Sequence, residues 1–404
     1  MVRFKSTYFF LVSNCLLILF LLLSATSNSQ NNKTEKIIPA AYQTEKYIPL
    51  LKGKKVAVVA NQTTVIESKK GQFVHLVDSL LGLKINIIKV FAPEHGFRGK
   101  ADAGEHVSDH KDIKTGLPII SLFGKNKKPA REQLEGIDIV VFDIQDVGAR
   151  FYTYISTMTY VMEACAEMNI PVIVLDRPNP NGHYVDGPVL EMEHQSFVGM
   201  HPIPLVYGMT MGEYAQMVNG EKWMVNGIKC NLTIIPLINY THNSEYSLPI
   251  RPSPNLPNDQ SINLYPSLGF FEGTIINAGR GTEFQFQRYG APFFPSDSNT
   301  DDIAYTPQPN FGSKQPKFKG ELCHGVDLSK TEKQNMVNLK WLIDAYRKTP
   351  KEKDFFGKSF TRHAGTLQLQ KQIESGKTAE EIRATWQKDV VKFKKIRKKY
   401  LIYD

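Results

Sequence analysis

The stretch FAPEHGFRG, Phe91 to Gly99, sets Glu94, His95 and Arg98 within five residues, directly behind the apolar run INIIKV. Two more apolar runs end in the same manner. The run through Val140 and Val141 leads into Asp143, Gln145, Asp146 and Arg150, with Tyr152 and Tyr154 beyond. The run through Val172 and Val174 leads into Asp176, Arg177, Asn179 and Asn181. Carboxylates among arginines, amides and tyrosines suit sugar chemistry. Glycoside hydrolysis needs a proton donor at the leaving oxygen and a group opposite to meet the oxocarbenium-like charge, commonly a carboxyl pair. Glu94, beside apolar Phe91 and Pro93, is the expected general acid/base, with Asp143 or Asp146 as its expected partner. For each aspartate, a helix N-cap or an ion pair with Arg150 is the structural alternative.

A later block, YPSLGFFEGTIINAGRGTEFQFQRYGAPFF, holds Glu272, Arg280, Glu283 and Arg288 among many glycines. Glycine lets backbone approach a ligand closely, so this block reads as a loop wall of the same cleft. Other chemistries lose ground. A serine hydrolase on such a sheet wants G-x-S-x-G, which is absent, and a nucleotide site wants a glycine-rich turn where this chain has ANQTTV. No cofactor is expected. EHVSDH spaces His106 and His110 like a metal pair, and with His95 they define an alternative, a metal-dependent hydrolase, but no H-E-x-x-H or clear third ligand accompanies them. The expected metal set is therefore empty.

Chemistry at strand ends requires strands and something to cover them. KKVAVVANQT, INIIKVFAPEHG, LPIISLFG, IDIVVFDIQD and IPVIVLDRPNPNG read as strands, with helices predicted in QFVHLVDSLLG, KPAREQLEG and YTYISTMTYVMEACAEMN. Continuous Val/Ile runs separated by helices predict a parallel sheet buried on both faces, the doubly wound α/β class, in which ligands bind beyond the carboxyl ends of the strands. Past Gly187 the pattern loosens: a helix in MTMGEYAQMVNG, a strand in NLTIIPL, a Pro/Asn-rich loop RPSPNLPNDQ, then closing helices. In the last of these, Trp386, Val390, Phe393, Ile396 and Tyr400 recur at helical spacing, so one apolar stripe docks it and its lysines face water.

With 404 residues, 42% apolar and 22% charged, the chain has the makings of a sizeable core. Its formal charge of +9 is concentrated in that basic last helix. No nucleic-acid module accompanies the charge, and an anionic polymer outside the cytoplasm is the expected kind of partner. Arg3 and Lys5, the apolar stretch Tyr8 to Leu23 and the small polar residues after it form a secretory signal pattern. The chain is expected to be exported, periplasmic or extracellular, touching a membrane only through an uncleaved signal or a lipid anchor. The four cysteines lie far apart without C-x-x-C and read as small buried or unpaired thiols.

FAPEHGFRG, TGLPIISLFG, DIVVFDIQDVGARFYTYISTM, VIVLDRPNPNG, GPVLE, FEGT and GRGT…GAPF, in this order, resemble the NamZ-type exo-β-N-acetylmuramidase family, over nearly all of the chain after the linker. The resemblance implies an exported glycoside hydrolase of cell-wall recycling that releases N-acetylmuramic acid from the non-reducing end of peptidoglycan-derived MurNAc-GlcNAc saccharides. It implies a Rossmann-like catalytic domain and a smaller C-terminal α+β auxiliary domain with the cleft between them. The expected division is a signal at 1–29, a linker at 30–43, the catalytic domain at 44–300 and the auxiliary domain at 301–404. Carried over, PEHG puts Glu94 in the acid's place. GARFYTY puts Arg150, Tyr152 and Tyr154 along the cleft, and DRPNP adds Asp176, Arg177 and Asn179. His95, Arg98, Gln145, Glu272 and Arg280 complete the expected substrate contacts. Arg150, Arg177 and Arg280 are the candidates for the lactyl carboxylate. EFQF after GRGT departs from the arginine and proline common in relatives. A non-catalytic peptidoglycan-binding protein with the same cleft is the alternative from another class.

Overall fold

Six short runs rich in β-branched residues build the parallel part of one seven-stranded sheet: β1 (Val56–Ala60), β2 (Ile87–Ala92), β3 (Pro118–Ser121), β4 (Ile139–Asp143), β5 (Val172–Leu175) and β6 (Leu232–Ile235). Their order across the sheet is β3-β2-β1-β4-β5-β6, with the short antiparallel strand His110–Lys111 outside β3. The chain thus starts mid-sheet, winds outward one way and then the other. Its direction reverses between β1 and β4, where open α/β sheets gather ligands beyond the strand ends.

The computed structural model describes residues 35–99, 110–296 and 302–404. The expected signal segment and His106 lie outside them, which leaves His95 and His110 as the described members of the histidine set. No helix among the described residues is long and apolar enough to cross a membrane.

Side-chain alternation along β1 divides the core in two. Val56, Val58 and Ala60 pack with Tyr47 and Leu51 of α1 (Thr44–Leu51) and with Leu76 and Leu80 of α2 (Leu76–Gly82). Ala57 and Val59 belong to the opposite cluster, with Leu134 of α3 (Arg131–Leu134), Met158 and Met162 of α4 (Tyr154–Glu167) and Tyr214 and Val218 of α5 (Met211–Gly220). A strand covered on both faces has no polar side to present, which is why these runs read as continuously apolar.

Beyond β6 the chain forms α6 (Asp259–Leu268) and a tight turn at Gly269–Gly273. A three-stranded antiparallel sheet follows, made of β7 (Arg288–Ala291), β8 (Asp302–Tyr305) and β9 (Cys323–Asp327), with β9 central. Helices α7 (Lys340–Lys348), α8 (Phe360–Ala364), α9 (Gln368–Glu374) and α10 (Ala379–Arg397) close it. The start of α10 is a reciprocal cap between Thr378 and Glu381, and its buried stripe is Ile382, Trp386, Val390 and Phe393. Trp386 donates to Asp186 at 3.0 Å. The residues after α10 return to the parallel sheet: the Tyr403 hydroxyl donates to Asp176 at 2.7 Å and the Ile402 N–H to Glu213 at 2.9 Å. Ile37–Asp404 forms one compact unit. Cys165, Cys230 and Cys323 are buried free thiols.

Two segments differ from their sequence reading. QFVHLVDSLLG is helical only from Leu76, because Gln72–His75 pairs back on Val65–Lys69 across a turn in which Gly71 takes a positive φ. RPSPNLPNDQ is a loop only as far as Asn258, whose side chain accepts from Ser261 N–H at 2.9 Å and starts α6.

Candidate active site

Beyond the carboxyl ends of β2 and β4 opens a cleft of about 400 Å³, within the range of small-ligand sites. Glu94 stands on one wall. It occupies a tight turn from Pro93 to Gly96, closed by a 3.0 Å bond from Gly96 N–H to the Pro93 carbonyl. His95 follows with φ of 70°, a left-handed value that is uncommon outside glycine and asparagine and recurs at functional sites. The turn carries the Glu94 carboxylate to the start of α4, where the Thr153 hydroxyl donates to its Oε2 at 2.8 Å. The Tyr154 hydroxyl also reaches the Glu94 carbonyl at 3.4 Å.

The facing wall comes from the C-terminal half of the chain. Glu272, on the Gly269–Gly273 turn, accepts from Arg280 Nη1 at 3.1 Å. Lys317 lies behind them and donates to the carbonyls of Phe271 at 2.7 Å, Ile276 at 3.1 Å and Thr274. Burial pushes its ammonium down to about 8, with Glu272 opposing and Arg280 reinforcing the shift. Tyr265 links the two walls. Burial raises its phenol well above the usual value, and both Glu272 and Glu94 add to the effect.

Of the residues singled out by sequence, the cleft lining gathers Glu94, His95, Tyr152, Glu272 and Arg280, with Tyr154 just behind Glu94. The others stand elsewhere for reasons of bonding. Asp143 and Arg177 form a two-pronged ion pair at 2.5 and 2.8 Å, both buried. Arg150 is fully buried and donates to the carbonyls of Pro188, Ile203, His363 and Ala364. Arg98 is held by Asp78 and Asp112. Gln145 donates to the carbonyls of Asp146 and Pro178, and Asn179 to that of Met209. Asp176 accepts from Thr210, Gly212 and Tyr403. Among the described residues, no aspartate lines the cleft.

Asp146 accepts from the Tyr207 hydroxyl and from Gly148 N–H, while its Oδ1 is buried without a partner. Burial pushes its carboxyl from 3.8 up to about 7, against the lowering effect of the Tyr207 bond. The native state therefore holds this proton over a range where the unfolded chain has lost it. On that account folding stability falls as pH rises from about 4 to 7, by on the order of a few kcal/mol. Asp146→Asn should flatten this dependence; urea unfolding at several pH values will show it, and an unchanged slope would place the titration on another group.

Thr153, Tyr265, Lys317, Asn255 and His363 line the cleft without having been singled out. Thr153 had one signal, its place between Tyr152 and Tyr154. Lys317 and His363 had none, since they reach the cleft from segments far along the chain.

The chain matches two family models in tandem, described as exo-beta-N-acetylmuramidase NamZ, N-terminal, over residues 56–260 and C-terminal over residues 263–403. It is 39% identical over 413 residues to the peptidoglycan beta-N-acetylmuramidase NamZ of Bacillus subtilis (strain 168), covering 96% of this chain and 97% of that protein. Two crystal structures of DUF1343 family proteins from Bacteroides fragilis NCTC 9343 are similar. One has 46% identity and a TM-score of 0.83, the other 30% and 0.79, and each covers 91% of this chain and 99% of its own.

Proposed function

This chain belongs to the exo-β-N-acetylmuramidase NamZ family, and on that premise we propose that it is an exo-acting glycoside hydrolase releasing N-acetylmuramic acid from the non-reducing end of MurNAc-GlcNAc saccharides. The observation that carries this reading is the placement of Glu94: a carboxylate at the mouth of a parallel sheet, fixed by Thr153, in a cleft that holds a second carboxylate, Glu272. The Glu94 carboxyl group, oriented by Thr153, passes a proton to the departing glycosidic oxygen. The proton lowers the cost of breaking the bond as positive charge develops on the sugar ring.

Incubating the protein with a MurNAc-GlcNAc oligomer and following products by mass spectrometry tests the reading. Free N-acetylmuramic acid should appear stepwise. Internal fragments would mean endo cleavage, and binding without product would favour a peptidoglycan-binding protein. The reading places the protein outside the cytoplasm, in accord with the apolar stretch Tyr8 to Leu23; recovery of the uncleaved chain in the cytosol would count against that.

Thr153→Val should lower kcat tenfold or more, since a hydrogen bond to a charged group is worth about 1.5–3 kcal/mol. Thr153→Ser keeps the hydroxyl and should keep the rate. Equal losses in both variants would attribute the effect to packing at the start of α4.

A further inference from the structure

The basic last helix takes no part in the cleft. From Lys388 to Lys399, the end of α10 and the two residues after it carry seven Lys or Arg against one acid, Asp389. Cations at a helix C-terminus complement the helix dipole, but that effect fades within the last turn, and Lys388 and Lys392 lie further in. Burial of Trp386, Val390 and Phe393 fixes which side of α10 faces outward. On that outer side Val391 is 52% exposed. Lys388, Lys394 and Lys395 stand three or four positions from it, with Lys398 one turn beyond, so four exposed ammonium groups share its face along about 15 Å of helix. Among the described residues none of these four is ion-paired, whereas Lys392 is paired to Asp389 at 2.8 Å and Lys399 to Glu221 at 2.9 Å. Like charges held this close repel, and an opposing negative surface turns that cost into attraction.

The kind of cation says which surface. All four are lysines, hydrated point charges on flexible stems, and the arginine of this segment, Arg397, is turned away to the Gly208 carbonyl at 3.0 Å. A site that reads the shape of one phosphate or carboxylate presents the planar fork of arginine. The lysines also stand on the convex side of a helix, where a strand of polymer has no groove to lie in. Free lysines around a small apolar side chain fit an extended plane of negative charge better than the anionic polymer suggested by charge alone.

We propose that the outer face of α10 adsorbs to a membrane surface of anionic phospholipid headgroups, with Lys388, Lys394, Lys395 and Lys398 supplying the attraction and Val391 resting at the headgroup boundary. The contact is electrostatic and reversible, because the apolar stripe of the helix stays in the protein core. It is independent of the muramidase reading, and it holds the protein beside a membrane without an inserted anchor.

Flotation of the full chain with vesicles tests this, using phosphatidylcholine alone and an equal mixture with phosphatidylglycerol. The wild-type protein should prefer the mixed vesicles, and added salt should weaken that preference. Lys388→Gln, Lys395→Gln and Lys398→Gln together should lower partition to the mixed vesicles by on the order of 100-fold, about fivefold for each cation near such a surface, and leave partition to phosphatidylcholine unchanged. The apolar stretch Tyr8 to Leu23 is common to both proteins, so the difference between them reports the lysines. Turnover of a soluble saccharide and the thermal midpoint should stay at wild-type values, since these side chains lie outside the cleft and on the surface. Equal partition of the wild type to both vesicles, or of a folded triple variant and the wild type to the mixed ones, would overturn the proposal. Retention on soluble dextran sulfate without vesicle binding would also overturn it, by giving the face to a polymer. Loss of saccharide turnover in the wild type would count against the muramidase reading and leave the vesicle result standing.

Discussion

Glu94→Gln should cut turnover of a natural saccharide by about 10²- to 10⁴-fold, the range that a positioned general acid contributes. The thermal midpoint should stay near that of the wild type, because Glu94 is only partly buried and a glutamine carbonyl can accept the Thr153 bond. The loss should be much smaller for an aryl muramide whose phenolate leaves without needing a proton. Comparing kcat/KM for the two substrates therefore separates proton donation from mere placement. Equal losses on both would remove the donor role from Glu94 and give it the opposite one, stabilising the charged ring. An unchanged rate would move the search to Glu272.

Arg177→Met is expected to lower folding stability by about 3–5 kcal/mol, since it strands Asp143 without its counter-ion in a site with no solvent contact. Burial raises the Asp143 carboxyl and Arg177 opposes that rise, so removing the arginine leaves only the burial cost. The double change Asp143→Leu with Arg177→Met should recover much of the loss, because two apolar side chains need no partner. Urea denaturation of the single and double variants measures this. If stability holds while turnover collapses, the pair acts on the substrate and not on the fold.

These two residues show what sequence conveys and what it hides. The strands were legible because a sheet covered on both faces imposes unbroken apolar runs, and Glu94 was legible because it follows such a run where the fold opens. Asp143 and Arg177 also lie where apolar runs end, Asp143 as the last residue of β4 and Arg177 just past β5. Yet they are 34 residues apart and spend their charges on each other, which no local pattern reveals. Arg150 looked like a ligand contact in GARFYTY, but it secures the chain around Ala364. Gly365 there takes φ of 77°, and a Cβ on it would stand 2.4 Å from Arg150 Nη2, which accounts for the glycine in AGT. The facing wall was only partly legible: Glu272 and Arg280 stood out among glycines, whereas Lys317 comes from a loop without periodicity. Pairing at long range brings it in.

The contact between Tyr403 and Asp176 joins residues 227 positions apart, and it finishes the surroundings of a carboxyl just past the end of β5, the strand beside edge strand β6. A ribosome that has completed β6 has therefore not yet supplied what the parallel sheet needs. Ordering so distant a pair costs chain entropy before any bond repays it, and this slows the final step of folding. The native surroundings of Asp176 are therefore expected to be complete only after residue 403 has left the ribosome.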